Sequence, residues 1–133
     1  MGDEKRFADA AIRATDATVA LSSPGGNMLA GIEIGQAIRL KGFSTLVPEG
    51  FQCASACALA WLGGTTRFMG QGATVGFHAI FTTENGQNAV SSAGNAMVGA
   101  YLSQLGLSMQ AISYITEKQP NDIPLKNDRA PLR

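Results

Sequence analysis

The sequence is short of charge, of metal ligands and of long apolar runs, and each shortage removes a class of function. Ten basic and ten acidic side chains cancel to a formal net charge of zero, and only 15% of residues are charged. The basic footprint that nucleic acid or an anionic membrane surface would need is therefore missing. No run of eighteen apolar residues occurs, so no stretch reads as a membrane span. None of the glycine-rich stretches ends in Gly-Lys-Ser or Gly-Lys-Thr, and no G-x-G-x-x-G occurs, which argues against a phosphate loop or a dinucleotide cofactor. No cofactor is expected. The opening Met1-Gly2-Asp3-Glu4-Lys5-Arg6 lacks the basic-then-apolar order of an export signal. There is one histidine, His78, and there are two cysteines, Cys53 and Cys57. That pair with one distant histidine is a thin basis for a zinc site, and no metal is expected.

Small and apolar residues fill the gap. Of 133 residues 45% are apolar and 16 are glycine. A chain of this size buries roughly two thirds of its unfolded surface, enough for one core without staples. It reads as a single domain, 1–133, with a core over about 17–125 and a Pro-rich tail over 119–133.

Periodicity and breakers divide that domain into alternating pieces. Phe7, Ala10, Ala11 and Ala14 predict a helix over 3–14. A buried strand over 17–21 runs into Ser22-Ser23-Pro24-Gly25-Gly26, a turn whose glycines can take positive φ. Asn27 caps a helix over 28–41 that Gly42 closes, and 43–47 is the next strand. The small residues from Cys53 to Leu62 read as one tightly packed helix. Strands are expected over 65–69 and 74–80, a polar loop over 82–88, and helices over 89–105 and 108–118. Strands alternating with helices predict an α/β domain with a largely parallel sheet flanked by helices.

Three of these pieces can carry chemistry together. Acyl transfer needs a nucleophile, a base, and backbone amides aimed at the developing oxyanion. A glycine turn presents amides without a Cβ in the way, Ser55 stands where a helix begins, and His78 ends a strand-like run. If Ser55 opens its helix, the amides of Ala56 and Gly26 can face one site, and the neighbouring alanines would let substrate approach. Cys53 and Cys57 flank the serine four residues apart, close enough for a disulfide or for a buried reduced pair.

Ser23-Pro24-Gly25-Gly26, then Ala54-Ser55-Ala56 with Ser55 twenty-nine residues past Gly26, then Gly76-Phe77-His78 with His78 twenty-three past Ser55, resembles the Clp-type serine peptidases of the Clp/crotonase superfamily. The Cys53-Ala54-Ser55-Ala56-Cys57 form is similar to that of small bacterial, often periplasmic, Clp-like proteins. The resemblance implies a Clp/crotonase-like fold and a peptidase with a peptide or protein substrate. It assigns Ser55 as nucleophile, His78 as general base, and the amides of Gly26 and Ala56 as the oxyanion hole. Asp122, three residues before Leu125, is the third member it implies, with Gln119 and Asp128 as alternatives. It further implies a homo-oligomer and a periplasmic setting, the export signal lying outside this chain. Rival readings are a binding or scaffold module on the same fold, a crotonase-type acyl-CoA enzyme, and a Cys57 nucleophile. A Ser-Lys pair would lack its base, since no lysine occurs between Lys41 and Lys118.

Overall fold

The computed structural model describes residues 2–119 and the strand Leu125–Lys126. The described residues fall into two compact units, one reaching to Gly76 and including Leu125–Lys126, the other running from Phe77 to Gln119.

The first unit begins with α1 (Asp3–Ala11) and β1 (Thr18–Ala20), followed by α2 (Met28–Lys41) and β2 (Ser44–Val47). It continues through β3 (Gln52–Ala54), α3 (Ala56–Leu62), β4 (Arg67–Met69) and β5 (Thr74–Gly76). α2 has the expected ends. The Asn27 side chain accepts from the Ala30 amide at 3.0 Å, and Gly42 closes the helix at φ 70°. Parallel strands in the order β1-β2-β4 form one sheet. In a second, β3 pairs parallel with β5, and β5 pairs antiparallel with the later strand Leu125–Lys126. A core cluster of Ala11, Ile38 and Phe43 joins α1, α2 and the loop into β2.

The expected helix from Cys53 to Leu62 is in fact two elements. Cys53 pairs with Val75 across parallel strands, and the helix starts only at Ala56. Composition hid this boundary because small apolar residues serve a buried parallel strand and a buried helix equally well. Every residue of α3 is buried. A Cβ at Gly31 would collide with the backbone of Ala56, and one at Gly63 with the backbone of Gly35. Gly31 and Gly63 therefore let α2 and α3 approach backbone to backbone. Arg39 and Arg67 donate to the last carbonyls of this region, Gly64 and Leu62, at 3.4 and 3.3 Å. Buried Thr45 donates its hydroxyl to the Trp61 carbonyl at 2.8 Å.

The second unit holds β6 (Phe81–Glu84), β7 (Gln87–Val90), α4 (Ser92–Gln104) and α5 (Met109–Glu117); the strand Leu125–Lys126 of the first unit is β8. The expected polar loop over 82–88 is an antiparallel hairpin with Glu84 opposite Gln87. Asn85 at φ 51° and Gly86 at φ 75° make the two-residue turn whose twist matches paired strands. The strand expected over 74–80 stops at Gly76, and the helix expected from 89 starts at Ser92 because its first residues belong to β7. The Ser91 and Ser108 side chains cap α4 and α5 by accepting from Gly94 and Ala111.

Candidate active site

Ser55 occupies the single residue between β3 and α3, at φ 56° and ψ −120°. A residue with a Cβ seldom adopts that conformation, which costs on the order of 1–3 kcal/mol and persists only where surrounding structure dictates it. The ties are visible. The Ser55 amide donates to the Gly76 carbonyl at the end of β5 at 2.8 Å, and the Ser55 carbonyl accepts from Leu59 in α3 at 3.1 Å. The half-buried side chain makes no capping hydrogen bond, unlike Asn27, Ser91 and Ser108 at the starts of their helices. Its hydroxyl is thus not spent on the helix.

The glycine turn lies against this serine. Ser23 forms a parallel bridge with Cys53, its amide donating to the Gln52 carbonyl at 2.9 Å and its carbonyl accepting from Ala54 at 3.0 Å. The Ser23 hydroxyl accepts from the Gly25 amide at 3.2 Å, shaping the turn. Gly25 is at φ 119°, and a Cβ there would sit 2.8 Å from the Ser55 Cβ and 3.4 Å from its Oγ. Only glycine combines that conformation with that approach. Gly26 follows at φ 149° with open space where its Cβ would be. Gly25, Gly26, Ala56 and Cys57 line a cavity of about 730 Å³.

A disulfide joins Cys53 in β3 to Cys57 in α3, so a covalent loop brackets Ser55. Bonded to each other, the two sulfurs offer neither a thiolate nucleophile nor a pair of metal ligands. The Cys57-nucleophile and Cys-Cys-His zinc readings fall with that bond. Among the described residues no three His, Cys, Asp or Glu side chains are grouped to hold a metal ion.

His78 belongs to the second unit. It is half-buried, with its ring 6.3 Å from that of Phe81. Its Nδ1 lies 2.7 Å from the Ala79 carbonyl oxygen. A carbonyl can only accept, so this contact is a hydrogen bond when Nδ1 carries the proton, and Nε2 is then the free acceptor. Gln119 is exposed past the end of α5, while Asp122 and Asp128 lie outside the described residues.

Comparison with known proteins bears on the architecture. No family model matches the chain, and no curated protein matches it in sequence. Among solved structures it is similar to a lysine-to-alanine mutant of 1510-N, a membrane-bound stomatin-specific protease, in complex with a substrate peptide (TM-score 0.64, 21% identity over 92% of this chain). A serine-to-alanine mutant of the same protease superposes with TM-score 0.66 at 20% identity, again over 92% of this chain. The chain spans 60% and 64% of the length of those two. The fold is Clp/crotonase-like.

Within this Clp-like fold, the first unit gathers Ser55, Gly25, Gly26, Ala56 and the disulfide around one strand-to-helix turn. Two features escaped sequence reasoning. Gly25 is the residue that abuts Ser55, a fact hidden because strand pairing across thirty residues makes the contact. Asn95, whose side chain grips Ile80 fifteen residues earlier, carries no local signal of that role. No described helix is long and apolar enough to cross a membrane.

Proposed function

We propose that the chain is a serine hydrolase acting on peptides through an acyl-enzyme formed on Ser55. The observation that carries this reading is the conformation of Ser55, held in a sharp strand-to-helix turn with its hydroxyl withheld from capping. Backbone strain of this kind concentrates at functional sites, and serine nucleophiles of hydrolases occupy such turns.

In the proposed cycle the Ser55 Oγ attacks a peptide carbonyl while Nε2 of His78 takes its proton. The amides of Gly26 and Ala56 receive the oxyanion, and the imidazolium returns the proton to the departing amine. Water, deprotonated by the same nitrogen, then cleaves the ester and frees Ser55. The tautomer implied by the Nδ1 contact with Ala79 is the one this base requires. The peptide as substrate is supported by the similar protease held with its substrate peptide. With no lysine between Lys41 and Lys118, His78 is the base this sequence supplies. The disulfide supports an oxidising compartment, in keeping with the periplasmic setting that the family resemblance implies.

An active-site-directed fluorophosphonate tests the reading. It should add one mass equivalent to the folded wild type at Ser55, and none to Ser55→Ala. His78→Ala should slow labelling by orders of magnitude, because members of such a pair act as a unit. A folded wild type that resists the reagent, or a Ser55→Ala variant that still reacts, refutes it.

A further inference from the structure

The segment after His78 is clamped, and the clamp ends on the histidine. The Ile80 amide donates to Oδ1 of Asn95 at 3.0 Å, and Nδ2 of Asn95 donates to the Ile80 carbonyl at 3.1 Å and the Ser91 carbonyl at 2.9 Å. Ala79, buried at 3% exposure, donates its own amide to the Lys118 carbonyl. The Ala79 carbonyl and the Ile80 amide belong to one rigid peptide plane. Whatever holds that amide therefore aims that carbonyl, and the carbonyl lies 2.7 Å from Nδ1 of His78.

We infer that Asn95 is a positioning residue for His78, acting through the Ala79–Ile80 peptide. The chain of bonds runs from Nδ1–H of His78 to the Ala79 carbonyl, and from the Ile80 N–H of the same plane to Oδ1 of Asn95. Donation from the amide end draws electron density toward the carbonyl oxygen and makes it a better acceptor, as in other hydrogen-bond chains. A backbone carbonyl thereby does the selecting that serine proteases assign to a carboxylate. It keeps the proton on Nδ1 and leaves Nε2 bare. The inference deepens the Ser55 and His78 reading and rests on it for its catalytic meaning. The tautomer itself can be measured whether or not Ser55 reacts.

One histidine in the chain makes the measurement unambiguous. The whole chain, free of any added histidines, is labelled with ring-15N histidine and observed by NMR at a pH where the imidazole is neutral. In wild type Nδ1 should show the protonated, pyrrole-type resonance and Nε2 the unprotonated one. The reverse assignment overturns the inference. In folded Asn95→Ala the two resonances should move toward each other, toward the Nε2–H form that free histidine favours in water. Fluorophosphonate labelling of Ser55 should fall by roughly two- to tenfold, the worth of one hydrogen bond. An unchanged tautomer in folded Asn95→Ala overturns the inference. If that variant does not fold, Asn95→Asp, which keeps an oxygen for the Ile80 amide, must retain the wild-type pattern, and losing it refutes the role. Asp122→Asn should leave the pattern as it is; a shift there names the carboxylate as the partner and overturns the carbonyl. Should wild type show the expected tautomer yet resist the fluorophosphonate, the proposed hydrolase fails while the positioning by Asn95 stands.

Discussion

α2 in the first unit and α4 in the second are both apolar helices carrying glycines, yet Gly31 of α2 and Gly99 of α4 do opposite work. In α2, Gly31 lies directly on the backbone of Ala56 and Gly35 on that of Gly63, so the helix is shaped by its neighbour α3. In α4, a Cβ on Gly99 would meet only the Ile112 side chain of α5, at an ordinary 3.9 Å. α2 needs a glycine at 31 because another backbone occupies the space. α4 carries at 99 a glycine that costs helix stability and makes no close approach in return. The same residue type thus marks the catalytic candidate's support in one place and an unused allowance in another.

The largest expected effect breaks the first half of this contrast. Gly31→Ala drives a methyl group into the Ala56 backbone, which cannot yield as a flexible side chain would. Overpacking of this kind costs about 3 kcal/mol. The urea midpoint should fall accordingly, and labelling at Ser55 should drop because Ala56 is its neighbour. A variant as stable and as reactive as wild type would show that α2 and α3 are not so closely apposed.

Next in size is the covalent brace. Cys53→Ser with Cys57→Ser opens a very short loop, so the loss should stay below roughly 3 kcal/mol, the figure for a loop of about fifteen residues. Urea unfolding of wild type with and without reductant should reproduce the difference. Ser55 labelling should persist, because hydrogen bonds to Gly76 and Leu59 also hold the turn. Complete loss of labelling in a folded double variant would give the disulfide a direct part in the chemistry.

The smallest effect has the opposite sign and sharpens the comparison. Gly99→Ala should stabilise by about 1 kcal/mol, raising the urea midpoint, since alanine restricts the unfolded chain and finds room in the folded one. A destabilised Gly99→Ala would mean that α4 and α5 pack as tightly as α2 and α3.

Legibility in the sequence followed how local each cause was. Asn27 and Gly42 bound α2 through contacts within a few residues, and both ends were readable. The Asn85-Gly86 turn was equally local, but its polar flanks masked a hairpin whose β7 residues are all exposed. The start of α3 was not readable, because the pairing of Cys53 with Val75 is what makes Gln52–Ala54 a strand. Ser55, His78, Gly26 and Ala56 could be proposed from ordered spacings and a family resemblance. The reason Ser55 stands apart could not, since a positive φ in a non-glycine residue leaves no mark in composition.

By itself, then, the sequence determined both ends of α2 and the glycine turn before it, consequences of residues acting on their own stretch of backbone. Tertiary structure alone decided the backbone strain at Ser55, the disulfide as against a reduced pair, the apposition of Gly31 with Ala56, and the grip of Asn95 on the peptide beside His78. Each depends on groups that parallel pairing or a loop brings together from distant positions. The free energy of such contacts exists only once the chain is folded, so no local pattern can announce them.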